Sequence, residues 1–278
     1  MVSTTVAYLD NYFYPEALEK LSNALQAQGY HVLVFMASQT AGNIDTVLDE
    51  ILDYQVDGII MASASMSSDL ASRCQNAGVP VVLFNRTQDM KGLTSVTSDN
   101  RQGGEVIGRF LVEGGHARLG FIAGWEGAST QRDREAGFLT ALRESGMSLA
   151  AREVGDFRAE VASDAARRMF DRPADERPDA VFVANDHMAF AVMDVLRSEL
   201  GLSVPDDVSV VGFDDVPPAA WAAYDLTTYR QPANTMVNET VSVLMDMIDG
   251  PYSDATSVTV DGKLVVRSSA RKPEGWTL

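Results

Sequence analysis

Short runs that are almost wholly apolar alternate along the chain with stretches whose apolar positions recur every three or four residues. The first kind predicts strands buried on both faces, the second amphipathic helices that cover them. The run "VAYL" at 6–9 predicts the first strand. In the following "PEALEKLSNALQAQG", Leu18, Leu21 and Leu25 fall at helical spacing and Gly29 supplies the stop. Strand "HVLVFMA" comes next, then a helix with Ile44, Val47, Leu48, Ile51 and Leu52 on one face. Strand "GIIMA", helix 67–77, strand "VPVVLF", a short strand "LTSVTS" and helix 100–114 complete a first series.

A second series repeats the scheme. Strand "RLGFIAG" precedes helix 130–145, "EVGDF" precedes helix 160–171, "DAVFVAN" precedes helix 187–200, and "VSVVGF" ends at Asp214-Asp215. Strand "LTTYR", helix 232–249 and two strands, "SVTV" and "KLVVRSS", close the chain. The alternation predicts an α/β protein with parallel sheets. About ten strands are many for one open sheet. The two series therefore predict two domains, with the break near Ser98-Asp99.

Composition narrows the function. A net charge of -17 repels phosphate backbones and anionic membranes, so this stretch of chain is not expected to bind nucleic acid by itself. One cysteine, Cys74, permits no intrachain disulfide and fits a reducing compartment. His31, His116 and His187 have no metal-ligand spacing, so no metal or other cofactor is expected. No leader or bilayer-spanning run is visible. Nucleotide-binding glycine loops and a GxSxG elbow are absent, and Asp214 and Asp215 are adjacent, so their side chains point opposite ways at a strand end. Catalysis is not expected.

Polar residues at the carboxyl ends of the strands form another kind of set: Asp10, Asn11, Asn85, Arg86, Asn185 and Asp214. Open α/β sheets bind ligands at that end. Amides and carboxylates converging there suit a polyol, although each also serves as a cap or turn former. In "VANDHMAF", Asp186 reads as the helix cap, which leaves Asn185 for a ligand. Arg134 stands near a helix N-terminus, where a cation opposes the dipole, and this hints at a role outside the helix. Phe13, Tyr14 and Phe157 follow strands, as ligand-stacking rings or as core.

The blocks "FYPEALEKLSNALQAQGYHVLVF", "VDGIIMAS", "VPVVLFNR", "VTSDNRQGG", "LGFIAGWEGASTQRDREAGFLTAL", "VANDHMAF", "PDDVSVVGFDD", "LTTYRQP" and "LVVRSSAR" stand in one order along nearly the whole chain. In this the chain resembles the effector-binding core of the lactose-repressor/galactose-repressor family of bacterial transcription regulators. The resemblance implies a periplasmic-binding-protein-like fold of two doubly wound parallel-sheet lobes joined by three crossovers. One lobe would be 1–98 plus 230–260, the other 99–229 plus 261–278. It implies an effector between the lobes, a sugar or sugar derivative, held by Phe13, Tyr14, Asn85, Thr130, Arg134, Phe157, Asn185, Asp214 and Gln231. Arg134 with Arg86 points towards a ligand carrying carboxylate or phosphate. It implies a cytoplasmic homodimer, paired through the first helix and the regions of 187–200 and 216–224, with operator DNA contacted by a head that does not precede Val6 here. The family usually has proline where Tyr12 stands, which alters the first loop. A sugar-binding protein of a transport system is the alternative on the same fold.

Overall fold

The structure is a computed structural model describing residues 1–6, 9–36, 46–47, 50–62, 68–88, 93–250 and 255–276. Ala7, Tyr8, Ala37, Ile44, Leu48 and Ser67, which belong to expected elements, lie outside the described residues. The chain divides into two compact units, Met1–Ser98 with Pro232–Val260 and Asp99–Gln231 with Asp261–Leu278. Arg230 and Gln231, expected in the first, belong to the second, because β10 (Thr227–Arg230) pairs with β9 (Ser209–Asp214) there.

In the first unit a parallel sheet is built from β1 (Val2–Val6), β2 (Val32–Met36), β3 (Gly58–Ala62), β4 (Val81–Phe84), β5 (Thr94–Ser98) and β11 (Ser257–Val260), in the order β11-β5-β4-β3-β1-β2. Its helices are α1 (Phe13–Ala27), α2 (Ser68–Asn76) and α7 (Ala233–Asp249), with a helical stretch at 50–53. β1 is four residues earlier than its expected position. Its centre is Ser3-Thr4-Thr5, fully buried but not apolar, so the hydrophobic pattern hides it. Ile51, Val56, Ile59, Met61, Cys74, Val81 and Leu83 pack together on one side of the sheet. Burial pushes the Cys74 thiol pKa up, so it behaves as a small hydrophobe.

In the second unit the order is β12-β10-β9-β8-β6-β7, from β6 (Leu119–Ala123), β7 (Ala151–Val154), β8 (Ala180–Val183), β9, β10 and β12 (Lys263–Val265). Only β12 runs antiparallel, against β10. The helices are α3 (Asn100–Glu113), α4 (Ser129–Glu144), α5 (Ala159–Phe170) and α6 (Asp186–Asp194), the last continued by a π-helical turn, Val195–Glu199. β7 stops at Val154 instead of running on to Phe157, because Asp156 and Phe157 adopt φ of 55° and 57° and leave the extended region. In each sheet the strand order reverses once, between β1 and β3 and between β6 and β8, and the carboxyl ends beside such a switch are where open sheets take ligands.

A chain of rings runs across the second core. Phe121, Phe138 and Phe182 lie 5.2–5.9 Å apart, Phe182 meets Phe213 at 6.5 Å, and Phe213 meets Tyr229 at 5.0 Å. Over it α3 and α4 cross at backbone contact. A Cβ on Gly104 would lie 2.0 Å from the Arg134 carbonyl oxygen, and one on Gly137 would lie 1.9 Å from that of Arg101. Only glycine lets the helices approach so closely, and the approach brings the first residue of α3, Asn100, to Arg134. Gly137→Ala is expected to force the helices apart and cost about 1–3 kcal/mol. Urea unfolding of the variant measures this, and an unchanged midpoint would contradict the close crossing.

Candidate functional site

The second unit gathers Arg134, Asn185, Asp214 and Gln231 at the carboxyl ends of β8, β9 and β10. Arg134 lies in the second turn of α4 and is 2% exposed. Its Nε donates to Asn100 Oδ1 (2.8 Å) and its Nη1 to the Ala184 carbonyl (2.6 Å). Nη2 stands 3.7 Å from Asp214 Oδ1, and the guanidinium carbon lies 3.7 Å from the centroid of the Phe213 ring. A buried guanidinium needs this many partners, since an unpaired charge inside a protein is costly. Expected in the first turn against the helix dipole, Arg134 stands one turn further in, and its partners on other elements, not the dipole, give it contacts outside its helix.

Asp214 ends β9 at φ 128° and accepts from Gln231 Nε2 (2.6 Å). Asp215, at φ 57°, turns away and takes Arg230 Nε and Arg267 Nη2 (2.6 Å). The two adjacent carboxylates therefore serve different partners.

The helix cap expected of Asp186 is supplied by Asn185 instead. Asn185 is the cap of α6, its Oδ1 accepting from the Met188 N–H (3.0 Å). Its Nδ2 is left buried with no hydrogen-bond partner, and the residue is 1% exposed. Asp186 does not cap. It is 0% exposed and braces two neighbouring segments, Oδ2 accepting from the Val216 N–H (3.0 Å) and Oδ1 from the Thr228 hydroxyl (2.6 Å). Desolvation first, then the charge of Asp214, raises the Asp186 pKa well above the usual carboxylate range.

Phe157 is buried, its ring laid on the backbone of Gly124, where a Cβ would come 2.2 Å from the ring. Thr130 is buried in the first turn of α4. Next to it Gln131, which sequence reasoning missed, accepts from the Gly124 N–H (2.6 Å) and donates to Glu135 (2.9 Å). Asn100, Phe213 and the Ala184 carbonyl were also missed. The first is visible only as the residue after the α3 cap, Asp99, and the other two read as plain strand.

In the first unit Asn11 Oδ1 accepts from the Phe13 N–H (3.0 Å) at the start of α1. Phe13 stacks on Phe84 (6.2 Å, 14°) and meets Tyr14 edge-on (5.5 Å, 79°), so its ring is packed in the unit's interior. Asn85, at φ 55°, donates from Nδ2 to the Tyr14 hydroxyl (3.4 Å), and its Oδ1 is buried with no partner. Arg86 beside it is fully buried. Among the described residues no group of His, Cys, Asp and Glu forms a metal cluster, and no helix is long and apolar enough to cross a membrane.

Doubly wound sheets with buried amides, a carboxylate and an arginine at their carboxyl ends define a periplasmic-binding-protein-like ligand binder. The periplasmic binding protein-like domain family matches residues 109–270. The HTH-type transcriptional repressor PurR of Pectobacterium atrosepticum is 31% identical over 92% of this chain and 76% of its own length. The repressor CytR of Escherichia coli is 29% identical over 93% and 76%. Among solved structures, a complex of the transcriptional regulator CelR with cellobiose superposes with a TM-score of 0.88 at 29% identity, covering 97% of this chain and 84% of that one. The dimeric Lac repressor gives 0.87 at 23% identity over 98% of this chain and 99% of that one, a likeness of fold. The chain belongs to the lactose-repressor/galactose-repressor family of transcription regulators, and it forms their effector-binding core. These relatives are regulators, not enzymes.

Asp186 generates a pH prediction. A carboxyl whose pKa is raised on folding stabilises the folded state at low pH, and that stability is lost as pH rises from the ordinary value of 3.8 towards the folded one. Asp186→Asn removes this dependence. The variant's stability relative to the parent should therefore rise between about pH 5 and about pH 8 in urea melts. A difference independent of pH would mean that the buried group is ionised throughout.

Proposed function

We propose that the effector is a neutral polyhydroxy compound, a sugar, contacted by Asn185, Gln231, Arg134, Asp214 and Phe157 of the second unit. One observation carries this reading. Asn185 commits its oxygen to the helix cap and so offers a donor. Gln231 commits its nitrogen to Asp214 and so offers an acceptor, Oε1, which is buried with no partner. Neither amide can be turned around without breaking its fixed bond. A hydroxyl donates and accepts and satisfies both. An ionised carboxylate or phosphate only accepts, and it would face Gln231 Oε1 and the Asp214 carboxylate. The charge of Arg134 is already matched by Asp214. This favours a neutral ligand over the anionic one that the arginines suggest in sequence. The cellobiose complex of the related CelR regulator supports the same class.

In this reading the protein is cytoplasmic and works by binding, not catalysis. The sugar shifts the balance between conformations of the core and so controls operator binding through a DNA-reading head. The core is a homodimer. Trp221, 55% exposed and followed by exposed Ala222 and Ala223, supplies an apolar patch suited to a second copy.

Neutral sugars, sugar acids, sugar phosphates and purines, tested by thermal shift, decide the ligand class. A neutral sugar is expected to raise the melting temperature with concentration, and stabilisation by anions alone would overturn the reading. Serine also caps helices, so Asn185→Ser should keep the melting temperature close to the parent's while weakening the sugar by roughly tenfold or more in calorimetry. Unaltered affinity would remove Asn185 from the site.

Light scattering should give twice the 30.1 kDa chain mass for the parent and 30.1 kDa for Trp221→Glu. A monomeric parent would refute the dimer.

A further inference from the structure

The chain passes between the units three times, at Ser98–Asp99, Gln231–Pro232 and Val260–Asp261. One hydroxyl within the second unit touches the segments beside all three. Tyr229 stands two residues before the second crossover. Its Oη donates to Gln102 Oε1 (3.1 Å), three residues beyond the first, and accepts from the Gly262 N–H (3.1 Å), beside the third. Two further contacts converge on the same ring. A Cβ on Gly103 would lie 2.9 Å from Tyr229 Cε1, and one on Gly262 would lie 2.5 Å from it, so both flanking segments press their backbones against the tyrosine.

The other side of this arrangement is the ligand site. Tyr229 packs on Phe213 at 5.0 Å and 32°, and Phe213 carries the Arg134 guanidinium at 3.7 Å. Gln231 lies two residues on, and its amide holds Asp214. At 1% exposure the ring has little freedom to move independently of what it touches. Burial, with Asp99 and Asp261 nearby, holds the phenol pKa up at about 12, so the hydroxyl keeps its donor proton.

We propose that Tyr229 links the effector site to the chain crossovers: a ligand engaging Arg134 acts through Phe213 and the tyrosine ring, and the hydroxyl passes the change to the segments at Gln102 and Gly262. This rests on Arg134 being an effector contact. Tyr229 is a positioning residue, since it is not placed against the ligand itself.

The test is a double-mutant cycle read by hydrogen exchange on the full chain, with R134K, Y229F and the double variant compared with the parent. R134K removes the planar fork but keeps the charge, and Y229F keeps the ring but removes the hydroxyl. R134K is expected to speed exchange of the Gly262 amide and of Asp99–Gly103 by roughly fivefold, and to add nothing in the Y229F background. Unchanged crossovers in R134K, or equal changes in both backgrounds, would overturn the link. If the double variant does not fold, Q102M replaces Y229F in the cycle; it cuts only the arm to Gln102, so the effect of R134K on Asp99–Gly103 should vanish while that on the Gly262 amide remains. A second arm adds a neutral sugar that stabilises the parent. Protection should reach Asp99–Gly103 and Asp261–Lys263 in the parent and stop at Val183–Met188 in Y229F. If no sugar binds the parent, the proposed ligand class fails, while the ligand-free cycle still decides the link.

Discussion

A guanidinium sealed away from water organises the second unit. Arg134 has to be surrounded by acceptors, and each acceptor comes from a different element: Asn100 from the start of α3, the Ala184 carbonyl from the end of β8, Asp214 from the end of β9. Meeting that demand requires α3 and α4 to touch, which Gly104 and Gly137 allow. It also requires β8 and β9 to end at matching heights, which their parallel register provides. The charge is thus a constraint on the fold as well as a feature of the site. Removing it outright leaves Asp214 buried without its countercharge, which is why the lysine substitution probes the site more cleanly than alanine.

Much of the scaffold was legible because parallel sheets produce a loud signal. β3, β4, β8 and β9 are buried on both faces and read as apolar runs, and α1 shows its stripe plainly. β1 was misplaced because its buried positions are serine and threonine. The polar residues of the candidate site were legible as a set, since a polar side chain ending an apolar run is conspicuous. Their division of labour was not. Whether Asn185 or Asp186 caps α6 depends on where the helix begins to within one residue, and no periodicity resolves that. Asn100 and Tyr229 act across long sequence separations, so nothing local marks them.

Backbone strain recurs around the candidate site. Asn85, Asp156, Phe157, Asp214 and Asp215 all have positive φ, and all lie at or just beyond the carboxyl end of a strand. Left-handed conformations of residues other than glycine cost free energy, on the order of 1 kcal/mol or more each, and persist where surrounding contacts hold them. Here those contacts are Gln231 on Asp214, the two arginines on Asp215, Gly124 under Phe157 and Tyr14 on Asn85. The rings and amides are thus held in place by the protein itself, and in the proposed site this would lower the entropy lost on binding.

Asn185 starts a helix and leaves a buried amide donor unpartnered, and in the proposed site this double duty has an evolutionary side. Drift at that position is filtered by the cap first: asparagine, aspartate, serine, threonine and glycine are favoured, and most other residues cost about 0.5–2 kcal/mol. The alphabet available for changing specificity there is short: an amide, a carboxylate, a hydroxyl or no side chain. A lineage can retune what it recognises at this corner in a few discrete steps while the scaffold remains the same.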